Sequence, residues 1–194
     1  MKIKSYSSIY RIMHWAIALS MILLLITIFL RATWLNKNHV AEIIETYLKA
    51  NTDVTLTHNQ AIKLAKTIRS PMWNWHIYLG YVLTGLFAVR FSLPLFGRMK
   101  FQNPFDKENS FIDTSKAWTY ILFYICIVIS LVTGLLVVFG PKSIHHTSEE
   151  IHVLSIYYLL AYIALHLGGV LWAEFKKDKG IISRIISGNK ENEK

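Results

Sequence analysis

Residues 150–175 read EIHVLSIYYLLAYIALHLGGVLWAEF. This apolar run is long enough to cross a membrane, and it carries two histidines, His152 and His166. Fourteen residues of α-helix are close to four turns, so the two imidazoles project from nearly one face. At 1.5 Å per residue they lie about 21 Å apart along the axis. In a hydrocarbon core of ~30 Å, that places one ligand-type side chain near each edge. Histidine inside a span is costly and marks function. Two on one stripe point to two stacked sites, each completed by a partner from another helix.

Outward from this run, three others have the same character. The four candidate spans are residues 12–34, 73–96, 117–139 and 151–173, each about the 20 residues that a spanning helix needs. Backbone polar groups in hydrocarbon must pair internally, which selects helices over open strands. A composition of 53% hydrophobic and 17% charged residues is too apolar for an ordinary soluble domain. Trp15, Trp34, Trp73, Trp75, Trp118 and Trp172 fall near span ends, as an interfacial belt requires. The predicted fold is an all-α membrane protein. One domain, residues 1–194, forms a four-transmembrane-helix bundle with short amphipathic helices in its first outer loop. The first run is too long for a signal-peptide core and lacks a small-residue cleavage site. The single cysteine, Cys126, allows no disulfide within the chain, and no C-x-x-C-H offers covalent haem attachment.

The net charge of +9 does not point to nucleic acid, because the basic residues cluster at the ends of apolar runs. Lys2, Lys4, Arg11, Arg98, Lys100, Lys107, Lys116, Lys176, Lys177, Lys179, Arg184, Lys190 and Lys194 fall on one side. They outnumber Arg31, Lys37, Lys49, Lys63, Lys66, Arg69 and Lys142 on the other. The positive-inside rule then puts both termini, and a tail of residues 176–194, in the cytoplasm.

The outer loop, residues 35–72, reads as two amphipathic helices. Val40, Ile43, Ile44, Tyr47 and Leu48 form the first stripe, with Asn38 as N-cap. The second opens on the capping box Thr57-His58-Asn59-Gln60, shows Ala61, Leu64, Ala65 and Ile68 on one face, and stops at Arg69-Ser70-Pro71. Such a hairpin either lies on the membrane surface or serves as a lid or docking surface. Residues 97–116 read as a polar, irregular loop and residues 140–148 as a turn. There Thr147-Ser148-Glu149-Glu150 is a capping box that starts the fourth helix. In the tail, Ile181, Ile182, Ile185 and Ile186 share one face of a short surface helix.

Span direction and residue count sort four histidines by depth. His14 opens the first span at the inner edge and His76 the second at the outer edge; His152 is outer and His166 inner on the fourth. The layers are therefore His14 with His166, and His76 with His152. A pair of facing neutral imidazoles is what a six-coordinate haem iron requires, so the arrangement points to two b-type haems. The competing readings are a proton relay, interhelical hydrogen bonds, or a haem-free transporter or ion path. Gly80, Gly85, Gly134, Gly168 and Gly169 suit either a wedged macrocycle or close helix packing. Arg11, one turn before His14, and Arg90, fourteen residues after His76, are candidate propionate partners, with topology and snorkelling as the alternative. No catalytic residue is assigned. His39, His58, His145 and His146 lie in loops, where solvation is the default, and His146 competes weakly for the outer iron.

The pieces Arg11-Ile-Met-His14-Trp15, Trp75-His76, Glu150-Ile-His152 and Ala164-Leu-His166 followed by GGVLWAEF resemble the bacterial cytochrome b561 and nickel–iron-hydrogenase cytochrome b family. The tail ISRIISG is similar to the hydrogenase-type members. The resemblance covers nearly the whole chain, and its specificity lies in order and spacing. It implies a di-haem cytochrome b of the bacterial inner membrane that exchanges electrons with quinone. An outer redox partner is implied as well: a hydrogenase, a c-type cytochrome or another dehydrogenase subunit. Some relatives imply instead a stand-alone superoxide:quinone oxidoreductase, whose anionic donor the basic residues Lys63, Lys66, Arg69 and Lys142 would attract. The long outer loop and the doubled His145-His146 depart from the pattern.

Overall fold

The computed structural model describes residues 6–106, 108–177 and 179–188. Lys2, Lys4, Lys107, Lys190 and Lys194 of the charge count lie outside the described residues. Among the described residues every regular element is a helix. In order these are α1 (Ser8–Ala32), α2 (Lys37–Asn51), α3 (His58–Ser92), α4 (Phe111–Phe139), α5 (Lys142–Val153), α6 (Ser155–Trp172) and α7 (Ile181–Ile186). A 3₁₀ turn, Leu93–Phe96, follows α3, and a π turn, Ala173–Lys177, follows α6. Four helical stretches are long and apolar enough to cross a membrane: Ser8–Ala32, His58–Phe96, Phe111–Phe139 and Lys142–Lys176. Only 6–22% of the most apolar window in each is buried within the protein. Large apolar side chains such as Ile22, Ile26 and Phe29 on α1, and Leu122, Ile125 and Ile129 on α4, therefore point outward. Exposed apolar faces on this scale fit lipid as the surrounding solvent.

The chain gathers into two compact units, Ala16–Leu86 and Met1–Trp15 with Phe87–Lys194. In the first, α2 and the start of α3 pack through Ala41, Ala61 and Ala65, all fully buried, with Val40, Ile44 and Ile62 around them. Alanine at these contacts lets the two helix backbones approach closely. A hydrogen-bond contact, His58 Nδ1 to Glu45 Oε1 at 3.0 Å, ties the same helices at their exposed edge. The Thr57 capping box forms as read: Thr57 N donates to Gln60 Oε1 at 2.9 Å, and Gln60 N donates to Thr57 Oγ1 at 3.4 Å. The α2 cap does not fall on Asn38. Asn36 takes that role, its Oδ1 accepting from Asn38 N at 2.9 Å, the usual cap bond two residues on.

The expected stop at Arg69-Ser70-Pro71 is absent, and α3 runs through Pro71 without a break. A proline inside a helix removes the N–H that its i−4 carbonyl needs and costs about 3 kcal/mol. Here that carbonyl belongs to Thr67, and the hydroxyl of Ser70 donates to it at 2.8 Å. The neighbouring side chain thus supplies the missing hydrogen bond, and the second amphipathic helix and the second span become one rod.

In the other unit, α4 buries Phe123, Ile127, Ser130 and Thr133 at three- and four-residue spacing and packs on α5 and α6. Its start lies earlier than the apolar run, at Phe111, because Ser110 Oγ accepts from Asp113 N at 3.2 Å. The fourth membrane helix likewise starts earlier than read. α5 begins at Lys142 behind Pro141, whose fixed φ suits a helix entry, so Thr147 and Ser148 sit inside the helix rather than capping it. α5 passes into α6 at Leu154 through two tightened bonds, Leu154 N to Ile151 O at 3.2 Å and Tyr157 N to Leu154 O at 3.1 Å. The tail helix forms as expected. The Glu174 carboxylate accepts from Gly180 N at 2.9 Å and Ile182 N at 3.1 Å, holding the start of α7.

Candidate metal centres

His14 and His166 are brought together, with ring centroids 6.0 Å apart and planes inclined by 41°. Metal–imidazole bonds of about 2 Å on both sides of one ion hold two ring centroids roughly 6 Å apart. The observed separation is compatible with a metal held between the two rings. Each ring is steadied by a tyrosine one turn before it. Tyr10 lies parallel to His14 at 6.5 Å and 6°, and Tyr162 stacks on His166 at 5.7 Å and 17°. Tyr162 in turn stacks on Phe123 of α4 at 3.7 Å. Among the described residues no three His, Cys, Asp or Glu side chains gather as metal ligands. Two are enough for an ion whose other four positions are filled by a macrocycle.

His76 belongs to the unit Ala16–Leu86 and His152 to the other, and each is held by its own neighbours. His76 Nδ1 lies 2.7 Å from Thr27 Oγ1 on α1. The Thr27 hydroxyl spends its one proton on Leu24 O at 2.6 Å, so toward His76 it accepts. His76 therefore carries its proton on Nδ1 and its lone pair on Nε2. Trp73 lies flat against the same ring, centroids 4.8 Å apart and planes within 1°. His152 Nδ1 lies 2.9 Å from the backbone oxygen of Ser130. A carbonyl only accepts, which fixes the same tautomer. Ser130 also meets Ser155 hydroxyl to hydroxyl at 2.6 Å, so one residue of α4 grips the α5–α6 joint on both sides of Leu154. Metal-bound imidazoles have this pattern: one nitrogen on the metal, the other N–H donated to an oriented acceptor.

Of the two arginines, Arg11 donates to Ile186 O at 3.2 Å, and its Nε is buried with no hydrogen-bond partner among the described residues. Such an orphan donor beside His14 fits a propionate carboxylate. Arg90 is 7% exposed, donates to Met99 O at 3.1 Å and lies over the Phe101 ring at 4.5 Å and the Tyr124 ring at 5.5 Å. Its charge is thus stacked between rings that lead through Phe123 and Tyr162 to His166. His146 is highly exposed, and its Nδ1 lies 3.4 Å from Glu150 Oε2. Thr27, Ser130 and Trp73 were not read from the sequence as orienting groups. The available signal was a lone hydroxyl inside an apolar run, at Thr27.

No curated protein and no solved structure matches the chain. The family model for prokaryotic cytochrome b561 matches residues 5–188, nearly the full length. Four membrane-length helices and that match lead to one conclusion: the chain belongs to the prokaryotic cytochrome b561 family, membrane cytochromes that transfer electrons through b-type haem.

Proposed function

We propose that this chain conducts electrons across the bacterial inner membrane, between a redox partner outside and the quinone pool, through two haems b. His14 and His166 hold the inner haem; His76 and His152 hold the outer one. The observation that carries the reading is the 6.0 Å separation of the His14 and His166 rings, from helices far apart in sequence. The Nδ1–H tautomers of His76 and His152, which turn Nε2 into the ligating nitrogen, support the outer assignment. Haem, when bound by these imidazoles, would supply one-electron ferric–ferrous chemistry. The chain's own work is to fix ligand geometry, exclude water with apolar helices and set two carriers in series. Arg11 offers its buried Nε to an inner propionate, and Arg90 adds fixed positive charge behind His166.

The test is haem quantitation with redox titration of the purified chain and of His14→Ala, His166→Ala, His76→Ala and His152→Ala. The expected result is two haems per wild-type chain. His14→Ala and His166→Ala lose one of them, and His76→Ala and His152→Ala lose the other. Losses grouped as His14 with His152 overturn the layer assignment.

A further inference from the structure

We propose that Thr27 is a positioning residue for His76: it locks the imidazole in its Nδ1–H tautomer and so sets the midpoint potential of the haem that His76 holds. The inference rests on His76 being a ligand, as proposed above. Thr27 is 6% exposed and stands alone as a polar side chain in the apolar stretch MILLLITIFL of residues 21–30. A buried hydroxyl in such a place needs partners. It has two: Leu24 O, to which it donates at 2.6 Å, and His76 Nδ1, from which it accepts at 2.7 Å.

The ring is also held against rotation. Trp73, one turn before His76, lies parallel to it at 4.8 Å. Arg31, one turn beyond Thr27 on α1, places its guanidinium 4.8 Å from the Trp73 ring centroid. Two residues of α1 therefore brace two residues of α3, and the imidazole has one orientation. A flipped ring would turn carbon toward the Thr27 oxygen and lose the bond.

The chemical consequence follows from basicity. An imidazole that donates through Nδ1 gains electron density at Nε2 and becomes a stronger ligand, chiefly to the more positive iron. Removing the acceptor weakens ferric binding more than ferrous binding, and the midpoint potential rises. His152 donates to a backbone carbonyl rather than to a side chain. Thr27 is a side-chain partner through which sequence can tune the centre that His76 holds.

The experiment uses the full chain, purified with its haems and titrated potentiometrically as wild type, Thr27→Val, Thr27→Ser and His76→Ala. Valine keeps the shape and deletes the acceptor; serine keeps the acceptor. Thr27→Val is expected to raise one of two potentials and leave the other unmoved, with Thr27→Ser at the wild-type value. Each tenfold loss of ferric over ferrous binding moves that wave by about 59 mV. Should Thr27→Val shed that haem outright, retention in Thr27→Ser supports the proposal, and equal loss in Thr27→Ser overturns it. Unmoved waves in Thr27→Val, with a haem lost from His76→Ala, overturn the role of Thr27 and leave the ligand assignment standing. Two haems retained in His76→Ala overturn the ligand assignment itself.

Discussion

Gly134 shows how a single missing carbon positions a ligand. A Cβ built there would stand 2.8 Å from His152 Cε1 and 3.1 Å from its Nδ1. Real carbons do not approach so closely, so any larger residue on α4 pushes the imidazole off the Ser130 carbonyl. Gly134→Ala is expected to weaken haem binding at the His152 centre by about 10–100-fold, the range for a lost orienting partner. Haem stoichiometry together with the two-wave titration checks this, and an unchanged wild-type pattern would falsify the packing argument. Gly188 is tied down differently. Its φ of +73° favours glycine, and a Cβ there would also meet the Arg11 guanidinium at 2.6 Å. Sequence alone offered Gly134 only as one of five candidate glycines and could not say what it touches. That depends on α4 facing α5, a matter of tertiary packing.

At the scale of the helix, the Ser70–Pro71 pair decides whether the outer hairpin is hinged or rigidly joined to the second span. Ser70→Ala leaves the Thr67 carbonyl without its donor, at a cost of about 0.5–1 kcal/mol. In a Pro71→Ala background the backbone N–H returns, and the same serine substitution costs nothing. Thermal unfolding of the four variants in detergent measures the coupling, and additive effects sink the explanation. The same helix shows which punctuation marks are legible in sequence. The Thr57 box was read correctly because Gln60 answers it locally. Pro71 was read as a stop because the compensating bond comes from Ser70, a residue equally at home in a loop. Thr147 was read as a start because its pattern is right. Pro141, six residues earlier, had already begun the helix, and a capping pattern inside a helix has no end to cap. The span count was visible because period and length are properties of the chain itself. The groups that orient His76 and His152, the Thr27 hydroxyl and the Ser130 carbonyl, were not, since they come from α1 and α4, far away in sequence.

Across the whole molecule, the basic residues predict a sidedness: residues 35–72 outside, both termini inside. A Cys126→Ser chain carrying Asn51→Cys is expected to react with a membrane-impermeant maleimide in intact cells, whereas Ser187→Cys is expected to react only after lysis. The reverse pattern overturns the proposed sidedness. One further connection joins the two ends of the chain. Arg11 and Trp15, which flank His14, donate to the consecutive carbonyls of Ile186 and Ile185 at 3.2 Å each. The α7 helix is therefore stitched to the segment that presents His14. A purification handle or fusion partner hung on residue 188 is expected to pull on the backbone beside that imidazole, and so on any cofactor it holds.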